Sequence, residues 1–232
     1  NTLCAAAVIA LAGRLAADPG LPKGLEPIDV AQALNALSKW PDNPLCAAAV
    51  IALAGRLAAE RRLREDLTAQ GVAIALNALC KWPDTRDCKN AANVLAARLA
   101  AEGRLRKDIK PQEVGSALNA LSKWPDDTLC EAAVGALAAR LAAESRLRND
   151  LNAQGVANAL NALSKWPDNA FCAAAVSALA ERLAADPALC KALEPVQVPQ
   201  ALNALCKWPD NTVCAAAVIA LAGRLAAESR LR

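Results

Sequence analysis

The residue types that most often carry chemistry are scarce in this chain. His, Tyr and Met are all absent from its 232 residues. The commonest general base and transition-metal ligand in proteins is therefore missing, as is the phenolic acid. We expect no enzymatic activity, no metal or other cofactor, and no small-molecule substrate.

Nine cysteines remain as candidates for metal binding or disulfide chemistry, but their spacing argues against both. No Cys-x-x-Cys pair occurs. Equivalent positions on adjacent packed helices lie about 8–10 Å apart, whereas a disulfide needs Cα atoms within about 7 Å. We expect a small buried hydrophobe and a reducing compartment. Six of the nine recur every 42 residues and three do not: Cys4, Cys46, Cys88, Cys130, Cys172 and Cys214, then Cys80, Cys190 and Cys206.

The same 42-residue period runs through the whole chain. The tripeptide Trp-Pro-Asp begins at Trp40, Trp82, Trp124, Trp166 and Trp208. Self-similarity at this period predicts stacked units that contact only their neighbours. We divide the chain, as one array, into copies 1–42, 43–84, 85–126, 127–168 and 169–210 and a half copy 211–232.

Each copy is predicted to contain two helices, A and B. Apolar residues make up 55% of the chain and aromatics only 3%, and the abundant Ala and Leu favour helices. Helix A begins after the Trp-Pro-Asp, capped by that Asp or the next residue, and spans about 44–60 in the second copy. Helix B opens at Pro27, Pro111 and Pro195, or after the caps Thr68 and Asn152. It ends before Trp-Pro, and one short turn with two apolar residues connects A to B.

The face of helix B opposite its apolar stripe holds the candidate binding residues. Each copy places four side chains there. Two positions are constant, an Asn and a Lys that suit a repeating polymer backbone, and two vary and would discriminate between ligands. We call them the helix B row: Ile28, Gln32, Asn35 and Lys39; Gln70, Ile74, Asn77 and Lys81; Gln112, Ser116, Asn119 and Lys123; Gln154, Asn158, Asn161 and Lys165; Val196, Gln200, Asn203 and Lys207.

Several recurring residues also have structural interpretations. The row Asn would bridge copies in a hydrogen-bonded ladder. The Trp is predicted to pack between copies rather than to stack on a ligand. An Arg of helix A is predicted to pair with an acid four residues later: Arg14 with Asp18, Arg56 with Glu60 and Arg98 with Glu102. A second basic row is predicted to be a solvated rim: Arg62, Arg64, Arg104, Arg106, Arg146, Arg148, Arg230 and Arg232.

Charge and hydropathy give no indication of partners. The formal net charge of +3 is small, so it favours neither a nucleic acid nor a membrane. The uncharged runs are too short and too rich in Ala to span a bilayer. We expect a soluble chain without a membrane partner.

The tetrapeptide Ser-Lys-Trp-Pro, at 38–41, 122–125 and 164–167, resembles the signature of the SKWP-repeat type III effectors of plant-pathogenic bacteria. Cys-Lys-Trp-Pro replaces it at 80–83 and 206–209. The likeness covers the whole chain. It implies a segment of a large virulence protein, injected into plant cells and acting in the host cytoplasm or nucleus. We therefore predict an all-α fold: an α-solenoid, a right-handed superhelix of two-helix repeats, HEAT- or armadillo-like.

A second likeness concerns residues 154–163, which are similar to the core of octotricopeptide repeats that bind RNA in organelles. Asn161 stands where those repeats usually have Trp. Two functions follow as expectations. The first is binding of a host protein or peptide on the concave helix B surface. The alternative is modular binding of single-stranded RNA, with the five row Lys on phosphates.

Overall fold

The computed structural model describes residues 2–18 and 20–229, and within these ranges the chain is all-helical without a β-strand. Six helices correspond to helix A: α1 (Thr2–Ala17), α4 (Pro44–Ala59), α7 (Arg86–Ala101), α10 (Thr128–Ala143), α13 (Ala170–Ala185) and α16 (Thr212–Ser229). Five correspond to helix B: α3 (Pro27–Leu37), α6 (Ala69–Leu79), α9 (Pro111–Leu121), α12 (Ala153–Leu163) and α15 (Gln197–Leu205).

The connector between A and B, predicted as one short turn, is a short helix of one to two turns. Each is four to six residues long: α2 (Gly20–Lys23), α5 (Arg61–Glu65), α8 (Gly103–Asp108), α11 (Ser145–Asn149) and α14 (Pro187–Ala192). Its Leu is buried in four copies, as with Leu63 and Leu147, and anchors the helix against the core. Each copy therefore has the two long helices that were predicted and a short connector helix between them.

Helix A begins two residues after Trp-Pro-Asp, and the residue between caps it in each described copy except the third, where Thr85 makes no side-chain cap bond. Asn43 Oδ1 accepts hydrogen bonds from the amides of Leu45 (3.0 Å) and Cys46 (3.2 Å). Asp127, Asn169 and Asn211 do the same in later copies. These oxygens satisfy amides of the first turn that have no partner within the helix.

Helix B starts as predicted in four copies but not in the fifth. Thr68 and Asn152 accept from the amides of Gly71 and Gly155, as expected of caps. In the fifth copy Pro195 lies in a turn, and α15 begins two residues later at Gln197. The Val198 amide donates to the Glu194 carbonyl at 3.3 Å, but Pro199 has no amide hydrogen to donate to the carbonyl of Pro195, so the next helical bond is missing.

The residues form two compact units, Asn1–Ile109 with Asp126–Cys130, and Lys110–Pro125 with Glu131–Arg232. Within the first unit, α4 packs between α1 and α7, and α3 packs on α6. Within the second, α12 packs between α9 and α15, and α13 packs on α16. Equivalent helices of successive copies thus lie side by side in each unit.

Helix A contributes one face to the core. The predicted stripe Cys46, Val50, Leu53 and Leu57 is buried without any exposed area, which confirms the helical period. Small residues bring the B helices of the second unit close together. A Cβ built on Gly115 of α9 would lie 3.1 Å from the Cα of Gly155 of α12, so the backbones approach where side chains are absent.

Candidate binding surface on helix B

Helix B exposes only a narrow strip of its circumference in the middle of the array. In α6, eight of the eleven residues are buried, and the remaining three are Gln70, Ile74 and Asn77. In α12 the same pattern leaves Gln154, Asn158 and Asn161. The helix B row is therefore the part of this helix that solvent reaches.

None of the row residues is buried. The Gln and Lys members are exposed, and Asn35, Ile74, Asn77, Ser116, Asn119, Asn158 and Asn161 are half-buried. Asn203 in the fifth copy is exposed. Two apolar members are also exposed, Ile28 by 59% and Val196 by 60%.

The row amides and ammonium groups lack protein partners in the described chain. Hydrogen bonds from the row involve backbone groups, such as the Asn35 carbonyl that accepts from Ser38 Oγ at 2.9 Å. No described side chain bonds to the amide of any row Asn, so the ladder considered above does not form. The five row Lys likewise make no ion pair with a described residue. These groups are free to bind a ligand.

The row Lys does not lie on helix B itself. Helix α3 ends at Leu37, and Lys39 lies in the turn that follows. The Lys39 amide donates to the Ala36 carbonyl at 3.3 Å, and the Trp40 amide to that of Leu37 at 3.1 Å. These i→i+3 bonds continue the helical direction, so Lys39 extends the row, close to the negative end of the helix dipole.

The Trp packs between copies, as predicted. Trp124 is 5% exposed and Trp166 7% exposed. Trp166 Nε1 donates to the carbonyl of Pro125 in the preceding copy at 2.9 Å. In Trp166 both the apolar surface and the indole donor are thus satisfied by protein. The other three Trp are half-buried: Trp40, Trp82 and Trp208.

The helix A Arg links consecutive copies, a role that the sequence did not reveal. Arg98 pairs with Glu102 (2.7 Å), as expected. Its Nη1 also donates to the carbonyls of Arg64 and Leu67, at the end of the preceding connector helix. Arg56 does the same with Pro22 and Leu25. The hydrogen bond from Arg98 lowers the pKa of Glu102, against the effect of burial.

The predicted pair of Arg14 and Asp18 does not form. Asp18 Oδ1 instead accepts from the Gly20 amide at 2.8 Å. In the fifth copy Asp186 likewise caps its connector helix. Asp is one methylene shorter than the Glu of the other copies. Its carboxylate therefore reaches the nearby backbone amides as a cap more readily than it reaches the guanidinium four residues before it. Burial lowers the pKa of Arg182, which lacks that Glu.

Only some side chains of the second basic row are solvent-exposed, although the whole row was predicted to be. Arg62 and Arg146 have exposed side chains, as predicted. Arg106 Nη1, in contrast, donates to the carbonyls of Leu99 (2.6 Å) and Ala100 (2.7 Å). Three half-buried members thus donate to carbonyls at the C-terminal end of helix A in their own copies: Arg64, Arg106 and Arg148. Two predicted members lie outside the described residues: Arg230 and Arg232.

The recurring Cys is a buried free thiol, in agreement with the sequence. Burial raises the pKa of Cys88, Cys130 and Cys172 to about 12, so these thiols stay protonated and unreactive near neutral pH. Cys206 is the exposed exception among the described free cysteines. The side chain of Cys4 lies outside the described residues.

A groove of 430 Å³ adjoins the helix B row in the first unit. Gln70 lines it together with Thr68 from the start of α6 and with Glu102, Arg104 and Asp108 around α8. Sequence reasoning placed Arg104 on a rim and did not connect it to Gln70. The groove adds charged groups of both signs to one end of the row.

Comparisons with known proteins do not assign this chain to a family. No protein-family model matches it, and searches of curated proteins and of solved structures find no match. None of the described helices is long and apolar enough to cross a membrane. Among the described residues, no cluster of three or more Cys, Asp and Glu side chains is arranged to hold a metal ion.

Proposed function

We propose that this chain is a non-enzymatic binding scaffold that holds a host protein or peptide along the helix B row. In this proposal the copies form an α-solenoid, a right-handed superhelix of HEAT- or armadillo-like type, with the row on its concave side. The chain would be a segment of an SKWP-type effector, delivered by a type III system to the cytoplasm or nucleus of a plant cell. The Ser-Lys-Trp-Pro resemblance supports that part.

One observation carries the binding proposal. The row presents amide and ammonium groups without protein partners at equivalent positions of helices that pack side by side in each unit. Partnerless polar groups repeated at the spacing of the copies suit a ligand that itself repeats. An extended polypeptide offers such a repeat of donors and acceptors.

Charge favours a polypeptide over a polyanion. Each row Lys is followed three residues later by the exposed Asp of Trp-Pro-Asp, as Lys39 is by Asp42. Every copy thus presents both signs of charge at this end of helix B. Repeated carboxylates would repel phosphates, whereas peptide amides and mixed side chains tolerate them.

Capture from plant-cell lysate with matched variants tests the proposal. We expect wild-type protein to retain a set of host proteins that survives nuclease treatment. Replacing the five row Asn by Ala should remove that set, because the substitutions delete the amides without altering buried groups. A control with Arg62 and Arg146 changed to Ala alters exposed residues outside the row and the groove and should retain it. Equal capture by both variants would contradict the proposal.

Single-stranded RNA is the second candidate, favoured by the five row Lys without ion pairs. Binding to phosphates releases counterions, so affinity should fall steeply with salt, and five Lys→Gln changes should flatten that slope. Fluorescence titration with a random RNA pool measures it. Absence of binding at low salt excludes this candidate.

A further inference from the structure

Arg182 differs from the equivalent Arg of earlier copies in what its guanidinium binds. In Arg56, Nε and Nη2 donate to the two carboxylate oxygens of Glu60, each at 2.8 Å. Arg98 binds Glu102 in the same way, at 2.7 and 3.0 Å. The described bond of Arg182 is made by Nη1 instead, and no described residue accepts from its Nε or Nη2.

The difference follows from the residue four positions after the Arg. Glu60 and Glu102 make no side-chain cap at the connector helix that follows them, so their carboxylates are available to the Arg. Asp186 stands at this position in the fifth copy, and its Oδ1 accepts from the amides of Ala188 and Leu189 at 3.0 Å each. The side chain that pairs with the Arg in other copies is therefore a helix cap here.

A groove of 430 Å³ lies beside Arg182, between the connector α11 and helix α13. Its polar lining also includes Arg148, Asn149, Glu181 and Asp186. Arg148 is held in place because its Nη1 donates to two carbonyls at the end of α10, at 2.6 and 2.7 Å. Neither Arg of the groove forms an ion pair with a described residue. Two guanidinium groups thus line a space that a ligand can enter.

The surroundings of Arg182 stabilise its positive charge only in part. Burial lowers the pKa of Arg182 more than the nearby charges of Asp186 and Asp150 raise it. A carboxylate that accepts from Nε and Nη2 would replace the water lost on burial, as the Glu does in other copies. Charge-assisted hydrogen bonds of this two-pronged kind are among the stronger ones in proteins.

The acidic groups of the groove determine which anion fits. Glu181 and Asp186 both line it, and their repulsion of a ligand grows with the ligand's negative charge. A phosphate dianion is therefore disfavoured relative to a single carboxylate. The planar edge of a guanidinium also matches the two oxygens of a carboxylate.

We propose that the groove between α11 and α13 is a carboxylate-binding site, in which Nε and Nη2 of Arg182 hold a ligand carboxylate as Arg98 holds that of Glu102. The site is separate from the helix B row and does not depend on the function proposed for that row. Its ligand is a small free carboxylic acid or an acidic side chain of a bound polypeptide, since both present the same group.

Nuclear magnetic resonance of the Arg Nε–H groups tests the proposal on the whole chain. Wild-type protein at low salt and about pH 6, where Glu is ionised, is titrated with glutamate capped as its N-acetyl amide. We expect a saturable downfield shift of the Arg182 Nε–H proton, half complete on the order of 10 mM, because one bidentate contact supplies modest affinity. The same protons of Arg56 and Arg98, which already bind Glu, should not move.

Two substitutions at Asp186 distinguish this site from a guanidinium that is merely solvated. Asp186→Glu supplies the residue of the other copies, which should bind Arg182 within the chain and weaken ligand binding by about tenfold or more. Asp186→Asn retains a capping oxygen and removes one negative charge from the groove, so binding should tighten by about two- to fivefold. Circular dichroism checks that both variants keep the helical signal.

Further titrations identify the source of the carboxylate. Equal binding of acetate and capped glutamate supports a small free acid as the ligand, and tighter binding of capped glutamate supports a polypeptide side chain. Capped glutamine and chloride should give no saturable shift. The proposal is overturned if capped glutamate gives none either, if the two controls shift Arg182 equally, if phosphate binds more tightly, or if Asp186→Glu responds like wild type.

Discussion

The helix A Arg is the residue that most directly holds consecutive copies together. In Arg98, one guanidinium joins Glu102 of its own copy to the carbonyls of Arg64 and Leu67 of the preceding copy. Only 12% of its side chain is exposed. Hydrogen bonds that involve a charged group contribute more than neutral ones, particularly where water is excluded.

Arg98→Ala should therefore destabilise the protein by about 1.5–3 kcal/mol. The change removes several bonds and leaves connector carbonyls without a donor. Arg62→Ala is the control, since the Arg62 side chain is 96% exposed and its contact with Asp66 is 3.6 Å long; it should cost less than about 0.5 kcal/mol. Urea unfolding followed by circular dichroism measures both. Equal losses would show that the inter-copy bonds contribute nothing.

Asp127 makes the stability of the third inter-copy boundary sensitive to acid. Its burial alone would raise its pKa, but hydrogen bonds from Asn93 Nδ2 and the amides of Cys130 and Leu129, with Lys89 nearby, hold that pKa below its ordinary value of 3.8. A lowered folded-state pKa gives stability that is present above the ordinary value and lost as pH falls through the folded one.

Asp127→Asn should reduce the loss of unfolding free energy between about pH 5 and pH 2. The Asn keeps a capping oxygen, as Asn43 and Asn169 have at the equivalent positions, but it does not titrate. Asp126→Asn, at the exposed neighbouring residue, should leave the acid dependence unchanged. Unfolding curves at several pH values would refute this account if both variants behaved like wild type.

At the scale of elements, close contact between B helices depends on glycine. Gly115→Ala would place a Cβ 3.1 Å from backbone atoms of Gly155, and a backbone cannot rotate away as a side chain can. We expect a destabilisation of about 1–3 kcal/mol. Gly55→Ala, with no atom within 4 Å of the new Cβ, should stabilise by about 0.5–1 kcal/mol through helix propensity. Thermal unfolding compares the two, and a stabilised Gly115→Ala would contradict the packing argument.

Helices A and B could be predicted from the sequence because the residues that determine them are close together in the chain. The stripe from Cys46 to Leu57 follows the helical period, and Thr68 and Asn152 cap within three residues. The contacts of the connector segment with the next copy could not be predicted. Its last carbonyls accept from an Arg that lies 31–34 residues further along the chain. The delayed start of α15 depends on Pro199, which cannot donate to the carbonyl four residues before it. Exposure of the row was predictable from its periodicity, whereas the groove between Gln70 and Arg104 needs two separate segments to meet.

At the scale of the whole molecule, the proposed solenoid predicts how stability depends on length. Duplicating residues 127–168 adds one copy and one boundary, and nearest-neighbour stabilities add along an array. The lengthened chain should keep its helical signal per residue and unfold at a higher denaturant concentration. A lower midpoint, or a loss of helical signal, would be incompatible with units that contact only their neighbours.

The Arg contacts also impose a direction on biosynthesis. The connector carbonyls of one copy accept from a helix A Arg that lies 31–34 residues further along the chain, so during synthesis they would lack this donor until that Arg has left the ribosome. If the copies fold as they are synthesised, the newest copy would lack these contacts until the helix A that follows it has emerged. Synthesis and folding would then advance together, one 42-residue step at a time.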